Sequence, residues 1–269
     1  MSVFTVCIPV YNGVNFLEEA LESVAKQTLD GVKVIVSDNA SNDGTSDILD
    51  RWKGKLDLNV VRQAKTLPML DHFNAVLDLV DTEFYMILCH DDYLAAPTAL
   101  ARAYAVVQDN PEVVSVYCDL EYVNPQRKRL ALRNFKRSGV FEGVTVGRES
   151  IRTARNLFGI PLAVRRSKLG GLRYDPDFYY AMDLDLSWAI SQGGKCYHID
   201  APLIANRYGD TNATWSMVTW SKKEFYALAA KYNVPMNGLA RLKFSLVNFM
   251  VIQQKRIFGA YVKFSKSVG

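Results

Sequence analysis

Three side chains that can hold a cation or move a proton, His90, Asp91 and Asp92, come directly after an apolar run, Phe84 to Cys89. The run carries no charge, which predicts a strand buried on both faces of a parallel sheet. Open α/β sheets bind ligands beyond the carboxyl ends of their strands, so carboxylates placed there are positioned to contact a bound ligand. In an extended chain Asp91 and Asp92 point to opposite sides, and one carboxylate suits Mg²⁺ or Mn²⁺, which take further oxygens from water and substrate phosphates. The alternative is a polar turn that closes the strand, with Asp92 capping the next element of the chain.

Two other predicted strands also end in polar turns. Tyr11 and Asn12 follow the first strand, and Asp38 and Asn39 follow the second. The carboxyl ends of parallel strands meet at one edge of a sheet, so these turns should lie beside His90 and Asp91. An aromatic ring with Asn and Asp side chains can stack on a nucleobase and bond its polar rim. No glycine-rich phosphate loop follows any of these strands, which argues against the dinucleotide-binding and P-loop classes.

Strand and helix patterns alternate along the chain, which predicts an α/β fold with a mostly parallel sheet flanked by helices. The predicted strands are Val3–Val10, Val32–Val36, Leu58–Val61, Phe84–Cys89, Val113–Cys118 and Cys196–Ile204. The predicted helices begin at Asn15 with a capping box to Glu18, after Thr45, at Leu67, at Pro97, near Ser150 and at Met182. No regular element is predicted for residues 121–141.

The composition, with 49% hydrophobic and 22% charged residues, is that of an ordinary globular protein and excludes disorder. The amino terminus has no basic segment before its short apolar run, so we expect a cytoplasmic protein without a signal peptide. The four cysteines have no metal-binding or redox spacing, and we expect them to be reduced.

The net charge of +4 is unevenly distributed: −11 over residues 1–126, +11 over 127–173, −4 over 174–220 and +8 over 221–269. The two basic segments predict contact with anionic partners, although a solvated basic face is the usual meaning of such a run.

Three runs together, CIPVYNG, IVSDNASNDGT and ILCHDDYL, resemble the signatures of the family 2 glycosyltransferases, whose nucleotide-binding half has the GT-A fold. The resemblance is close over residues 1–120. It implies that Tyr11 packs on the nucleobase, that Asp38 bonds the base, that His90 lies near the ribose or phosphates, and that Asp91 binds Mg²⁺ or Mn²⁺. The family's DXD motif has Cys89 in place of its first carboxylate, which leaves Asp91 as the metal ligand. The predicted donor-binding residues are Pro9, Val10, Tyr11, Asn12, Asp38, Asn39, Asn74, His90 and Asp91.

The same resemblance implies that Asp183 is the catalytic base, although the Glu that usually precedes this acid is Met182 here. Asp183 also fits a first-turn helix residue, whose charge favours the helix N-terminus. Arg165, Arg166 and Arg207 are weaker candidates for contact with the acceptor or the diphosphate, and solvation of a basic loop is as good an explanation for the first two. Relatives often carry an Arg and a metal-ligating His at the segment of residues 206–210. No His stands there in this chain, and Asp210 or water could take its place. Asn74 fits a polar helix flank equally well.

We divide the chain into a nucleotide-sugar-binding half (1–120), an acceptor-binding half of the same domain (121–220) and a basic helical extension (221–269). The extension is aromatic and amphipathic, which predicts contact with a membrane surface at the inner face of the cell membrane. Packing on its own domain or on a second subunit is the alternative.

The sequence therefore predicts an inverting glycosyltransferase that moves a sugar from a nucleotide diphosphate sugar, a UDP sugar, to a glycan or lipid-linked glycan in surface polysaccharide assembly. No nucleic-acid partner is predicted. The alternatives are a non-catalytic sugar-nucleotide or glycan binding module and a nucleotidyltransferase. The second of these usually shows a glycine-rich loop with a lysine after the first strand, where this chain has Pro9, Val10, Tyr11 and Asn12.

Overall fold

One ten-stranded sheet runs through the computed structural model, which describes residues 2–209 and 217–267. Its strands are β1 Phe4–Val10, β2 Val32–Asp38, β3 Asp57–Arg62, β4 Phe84–Ile87, β5 Tyr93–Leu94, β6 Val113–Val123, β7 Arg129–Arg133, β8 Gly139–Phe141, β9 Pro161–Arg165 and β10 Lys195–Arg207. Eight α-helices lie within the described ranges. They are α1 Leu17–Ala25, α2 Thr45–Trp52, α3 Met69–Asp78, α4 Ala99–Asp109, α5 Gly143–Thr153, α6 Met182–Ser191, α7 Ser221–Lys231 and α8 Gly238–Ser267.

The strands lie in the order β3-β2-β1-β4-β9-β6-β10-β5, with β7 beside β6 and β8 beside β10. The first four are parallel, as are β6 and β10, whereas β9 is antiparallel to both of its neighbours. The whole of β1 and most of β2 are buried, as expected of apolar strands covered by helices on both faces. The predicted α/β class with a mostly parallel sheet is confirmed, and the carboxyl ends of β1, β2 and β4 lie at the same edge.

The capping box predicted for α1 is wrong. This helix begins at Leu17, and no side chain caps it. The Gly13 carbonyl accepts hydrogen bonds from the N–H groups of Phe16 and Leu17 instead. Asn15 therefore lies in the turn before the helix, because this turn already supplies an acceptor for the first free amides.

Residues 121–141 are more regular than predicted. Strand β6 extends to Val123, and β7 and β8 follow it. Helix α5 begins at Gly143, well before the start predicted near Ser150. Its two glycines are needed for close packing against α6 and do not mark a turn of the chain. A methyl group at Gly143 would overlap Ser191 of α6, and one at Gly147 would overlap the Trp188 ring. Glycine weakens a helix in isolation, so the sequence pattern alone missed this segment.

The carboxyl-terminal helices pack on the second half of the sheet. Phe225 of α7 and Phe244 and Val251 of α8 are buried in the same core as Trp188. Ser221 of α7 donates a hydrogen bond to Asn248 of α8 across 3.0 Å in the buried interface. One side of the basic extension is thus part of the domain. No helix within residues 2–209 and 217–267 combines the length and hydropathy needed to cross a bilayer.

Candidate active site

A cavity of about 1000 Å³ opens at the carboxyl ends of β1 and β4. Its walls include six of the nine predicted donor-binding residues together with Asp183. The six are Pro9, Val10, Tyr11, Asn39, His90 and Asp91. The Asn39 amide is already bonded to the backbone of Leu67. The structure therefore brings the predicted metal ligand and the predicted base into one cavity.

The chain turns at Cys89–Asp92, where the Asp92 N–H donates to the Cys89 carbonyl across 2.9 Å. The prediction that Asp91 and Asp92 point apart assumed an extended chain and is wrong in that respect. Ligand atoms of Cys89, Asp91 and Asp92 lie within 4.8 Å of one another. What distinguishes the two carboxylates is their hydrogen bonding rather than alternation along a strand.

Asp92 is only 4% exposed and is fully used in holding the turn. Its carboxylate accepts hydrogen bonds from the Asn206 amide at 2.9 and 3.0 Å and from the Arg207 N–H at 2.8 Å. Burial, with the charge of Asp91 beside it, raises the pKa of Asp92 well above its ordinary value. The Asp91 carboxylate lines the cavity, and no hydrogen bond is made to it within the described part of the chain.

Arg207 supports the same turn from behind and does not fit the predicted anion contact. It is 2% exposed, and its guanidinium donates to the carbonyls of Asp91 and Pro125, each at 2.8 Å. It also forms an ion pair with Glu19 of α1. A buried guanidinium whose donors are occupied in this way fixes the backbone of the turn that carries Asp91 rather than a diphosphate.

The donor atoms of this turn determine which cation it can hold. Burial, with Asp92, Asp91 and Asp183 nearby, raises the pKa of the Cys89 thiol well above its ordinary value. A protonated thiol is a poor ligand for a hard cation, and Asp92 is occupied by hydrogen bonds. Asp91 remains as a single open carboxylate, which fits Mg²⁺ or Mn²⁺ bound together with phosphate oxygens and water. Asp210 lies outside the described residues.

Asp183 lies in the first turn of α6 and opens into the cavity. No hydrogen bond to its carboxylate is found among the residues that the structure describes. The side chain is exposed at the cavity wall, and desolvation by the surrounding protein raises its pKa from 3.8 to about 6. A carboxylate with such a pKa is ionised at neutral pH and still accepts a proton more readily than an ordinary aspartate.

The start of α6 is capped by a residue that sequence reasoning missed. Glu224 of α7 is 5% exposed, and its carboxylate accepts hydrogen bonds from the N–H groups of Tyr180 at 2.8 Å and Ala181 at 2.9 Å. A carboxylate at a helix N-terminus satisfies free amides and interacts favourably with the helix dipole. Glu224 therefore holds the turn that carries Asp183. Nothing in the sequence links two residues so far apart.

Asp185, the other acid in this turn, has a structural role. It is 2% exposed and accepts hydrogen bonds from the Lys231 ammonium at 2.9 Å and the Tyr232 hydroxyl at 2.8 Å. The Tyr232 ring stacks on Trp188 of α6 with a centroid distance of 4.1 Å. These contacts join α6 to the end of α7, and they leave Asp183 as the acid of this helix that faces the cavity.

The predicted nucleotide side is built from the turns after β1 and β2. Tyr11 is 49% exposed at the cavity wall, so its ring is accessible for stacking. Asp38 lies deeper, at 1% exposure. One of its oxygens accepts from the Ser41 N–H at 2.9 Å, and the other is 3.2 Å from the Arg62 guanidinium. A base contact by Asp38 stays a prediction, since Ser41 and Arg62 enclose this carboxylate.

The amide side chains of this region bond the protein's own backbone. Asn39 exchanges two hydrogen bonds with the backbone of Leu67, at 3.0 and 2.8 Å, and Asn74 does the same with Tyr174. Asn12 accepts a hydrogen bond from the Asn42 N–H. The predictions of donor contact by Asn39 and Asn74 therefore do not fit the structure, because both amides are occupied in holding loops beside the cavity.

His90 lies against the turn after β1, and a glycine at position 13 makes this close approach possible. A methyl group on Gly13 would lie 3.0 Å from the His90 ring and would overlap Val10. The close approach joins the turn after β1 to the turn after β4. His90 lines the cavity beside Asp91, in accord with the predicted position near ribose or phosphates, and its role stays a prediction.

Arg165 and Arg166 are at the wrong end of the sheet for the predicted role. Arg165 pairs with Phe84 at the amino end of β4, whereas the cavity follows the carboxyl end of this strand. Its guanidinium donates to the Val113 carbonyl at 3.2 Å and forms an ion pair with Glu83. Arg166 follows it and is exposed. Antiparallel pairing of β9 with β4 carries both residues away from the site.

Three basic residues that were not predicted do line the cavity: Arg133, Arg155 and Lys255. They come from β7, from the segment after α5 and from α8, so no spacing in the sequence brings them together. The signal that pointed toward them was the excess of basic residues in 127–173 and 221–269.

Comparison with known proteins agrees with this architecture. The sequence model of the Glycosyl transferase family 2 matches residues 5–166, which is more than half of the chain. The chain therefore belongs to the family 2 glycosyltransferases, as the three motifs predicted. The abequosyltransferase RfbV of Salmonella typhimurium is 33% identical over 134 residues, which cover 46% of this chain and 40% of that protein.

A second curated relative is the poly(ribitol-phosphate) beta-N-acetylglucosaminyltransferase TarS of Staphylococcus aureus. It is 28% identical over 119 residues, 43% of this chain and 21% of that protein. The chain thus matches less than half the length of these two relatives.

Two solved structures share the fold across nearly the whole chain. TarS 1–349 in complex with UDP-GlcNAc superposes with a TM-score of 0.69 at 20% identity, over 91% of this chain and 70% of that one. The mannosyltransferase PcManGT of Pyrobaculum calidifontis, in complex with GDP-Man and Mn²⁺, gives 0.65 at 19% identity, over 99% and 75%. At these identities the comparisons establish the fold, which is that of GT-A glycosyltransferases.

Proposed function

We propose that this chain is an inverting glycosyltransferase that moves a sugar from a UDP sugar to a hydroxyl group of a glycan or lipid-linked glycan in surface polysaccharide assembly. The observation that carries the proposal is the placement of Asp91 and Asp183 in one cavity at the carboxyl ends of the strands. Asp91 is the open carboxylate of the turn at Cys89–Asp92, the proposed metal-binding turn, and Asp183 is an exposed carboxylate of the cavity wall whose pKa is raised to about 6 by desolvation.

Asp183 acts as the general base. Its carboxylate takes the proton from the acceptor hydroxyl while the acceptor oxygen forms a bond to the anomeric carbon of the donor. The bond from that carbon to the nucleoside diphosphate breaks, and the leaving group departs with the electron pair. Attack from the face opposite the leaving group inverts the configuration. Glu224 holds the first turn of α6 so that the carboxylate stays directed into the cavity.

Asp91 holds the divalent cation, Mg²⁺ or Mn²⁺, which when bound neutralises charge on the departing diphosphate. Tyr11 stacks on the uracil ring, and His90 contacts the ribose or the phosphates. Pro9 and Val10 shape the wall beneath them. The complexes of TarS with UDP-GlcNAc and of PcManGT with GDP-Man and Mn²⁺ support a nucleotide-sugar donor and a divalent cation for a chain of this fold.

A panel of UDP, GDP and dTDP sugars, each with Mg²⁺ or Mn²⁺, tests the proposal. Transfer gives a nucleoside diphosphate and a glycosylated product, both detectable by mass spectrometry. A nucleotidyltransferase would release pyrophosphate instead. A binding module would give a calorimetric signal with a sugar nucleotide and no product under any condition, and this result would refute the catalytic role of Asp183.

We also propose that α8 binds an anionic membrane surface with the face that the domain leaves uncovered. Seven large apolar side chains on this face are each half exposed or more: Leu239, Leu242, Leu246, Phe249, Met250, Ile257 and Tyr261. At 1.5 Å per residue they form a stripe about 33 Å long. Residues 238–269 contain no acidic side chain, and Lys243 and Arg256 flank the stripe. A second copy would bring like charges together, whereas anionic lipid complements them.

Cosedimentation with vesicles tests this second proposal. Phosphatidylglycerol vesicles should bind the protein more strongly than phosphatidylcholine vesicles, and added salt should weaken the binding. The double change Leu246→Gln and Ile257→Gln should abolish it. The matched change Val140→Gln, which removes an apolar side chain exposed on β8, should not. If vesicles never bind and the double change instead dissociates a dimer in the ultracentrifuge, the membrane proposal fails in favour of a second subunit.

A further inference from the structure

Three basic side chains meet on one wall of the cavity, apart from the metal-binding turn and the base. Arg133 ends β7, Arg155 follows α5, and Lys255 lies in the middle of α8. All three line the same cavity as Asp91 and Asp183. We call them the cationic cluster.

The partners of the cationic cluster are neutral oxygens. Arg133 donates to the Tyr122 hydroxyl at 3.0 Å, Arg155 donates to the Gln254 side-chain carbonyl, and Lys255 donates to the Tyr180 hydroxyl at 2.7 Å. Within residues 2–209 and 217–267 none of the three forms an ion pair with a carboxylate. Burial, together with the charges of the two arginines, lowers the pKa of Lys255 to about 8.

Two other cations of this protein have carboxylate partners. Arg207 is paired with Glu19, and Lys231 with Asp175 and Asp185. Like charges gathered without a counterion destabilise the folded state, and the described part of the chain does not supply the counterion here. An anion that enters the cavity would supply it.

The order of the strands places the cationic cluster away from the nucleotide. Tyr11 follows β1, whereas Arg133 belongs to β7, which pairs with β6. Strand β4, which precedes Asp91, lies between β1 and β9, and β6 follows β9 in the sheet. The metal-binding turn therefore separates the nucleotide side from the cluster, so the cluster lies where an acceptor enters.

We propose that Arg133, Arg155 and Lys255 bind a phosphate group of the acceptor, which makes the acceptor a phosphate-bearing glycan, polyol or lipid-linked sugar. The two guanidinium groups are planar, and each can donate to two oxygens of one phosphate ester. The ammonium group adds a compact positive charge that can donate to a further oxygen. The inference rests on the proposed transferase function for its meaning, because an acceptor exists only for a transfer reaction. Binding of the anion can be measured without turnover.

The test compares Arg155→Gln and Lys255→Gln with Lys223→Gln, which removes an exposed charge from α7 outside the cavity. Glycerol 3-phosphate and inorganic phosphate are titrated by ³¹P NMR or calorimetry, and UDP with Mn²⁺ is titrated separately. We expect binding of glycerol 3-phosphate to weaken at least tenfold in the first two variants. Binding should stay within twofold of wild type in Lys223→Gln. Arg155 is exposed, so its variant should fold even if the Lys255 variant does not.

Other outcomes overturn the inference. A similar loss in Lys223→Gln would show a general effect of charge. Loss of UDP affinity in the cluster variants would show that the cluster binds the donor diphosphate. Loss of binding to phosphatidylglycerol vesicles would show that it contacts lipid headgroups. If no sugar is ever transferred from any donor, the proposed function fails, but the phosphate titration still shows whether the cationic cluster binds phosphate. If transfer occurs, the acceptor KM should rise at least tenfold in Lys255→Gln with donor KM unchanged.

Discussion

Replacing Asp183 with asparagine removes a proton acceptor and keeps the size of the side chain. No hydrogen bond to this carboxylate is found in the described part of the chain, so the change leaves no donor there without its partner. If Asp183 is the base, turnover at saturating donor and acceptor should fall by about 10² to 10⁴, the usual contribution of a positioned base. The dissociation constant for UDP with Mn²⁺ should stay within about twofold of wild type, because Asp91 is intact.

The same change should stabilise the folded protein. Burial raises the pKa of Asp183 from 3.8 to about 6, so the folded state binds its proton more tightly than the unfolded state does. The ionised group therefore costs stability, and the cost grows from about pH 4 and is complete above about pH 6. Two pKa units correspond to about 3 kcal/mol for a fully buried group, and exposure of Asp183 at the cavity wall lowers this cost to about 1 kcal/mol.

Differential scanning calorimetry at pH 8 should show the Asn variant melting about 2 to 4 °C above wild type, as expected for about 1 kcal/mol in a chain of this size. The advantage should disappear near pH 4. Wild-type kcat should fall about tenfold per pH unit below about pH 6, where the base is protonated, and the residual rate of the variant should lack this dependence. Asp177→Asn, an exposed carboxylate in the preceding loop, is the matched control. Turnover of the Asp183 variant within threefold of wild type, with folding intact, would refute the catalytic assignment.

The contacts around the cavity give three further predictions. Asp91→Asn should abolish the dependence of UDP binding on Mn²⁺ with little change in melting temperature. Asp92→Ala should instead cost about 2 kcal/mol of stability, because the Asn206 amide and the Arg207 N–H lose their acceptor. Calorimetry that shows equal loss of Mn²⁺-dependent binding in both variants would contradict this. Glu224→Ala should cost about 2 kcal/mol and lower kcat more than donor affinity, since it frees two amides at the start of α6; an unchanged kcat would remove its positioning role. Gly147→Ala should lower the urea midpoint by the equivalent of about 1 to 3 kcal/mol, since the added methyl group overlaps Trp188; an unchanged midpoint would show that α5 can move away.

The sequence was informative where one local rule decides the outcome. Uninterrupted apolar strands predicted the parallel sheet, and the rule that strand ends share an edge predicted that His90 and Asp91 would meet Tyr11. The alternation argument failed for Asp91 and Asp92 because a hydrogen-bonded turn replaced the extended chain. Local geometry after a strand depends on bonds to distant segments, and these cannot be inferred from neighbouring letters.

Polar residues near the site show the same limit. Asn74 and Arg207 have the right chemistry for substrate contact, but the structure uses them to hold Tyr174 and the Asp91 carbonyl. Whether an amide or a guanidinium is occupied depends on which backbone groups fold back onto it. The opposite error concerns Lys255, which the sequence did not single out within the basic extension and which lies in the cavity wall.

The contact between Glu224 and the start of α6 limits how this chain can be recombined with its relatives. The family match ends at residue 166, but the helix that carries Asp183 is capped by Glu224, more than forty positions after Asp183 in the chain. A crossover placed between Asp183 and Glu224 would inherit the acid from one parent and its cap from the other. Chimeras intended to exchange acceptor preference should therefore take both residues from the same parent, even where every shared motif is retained.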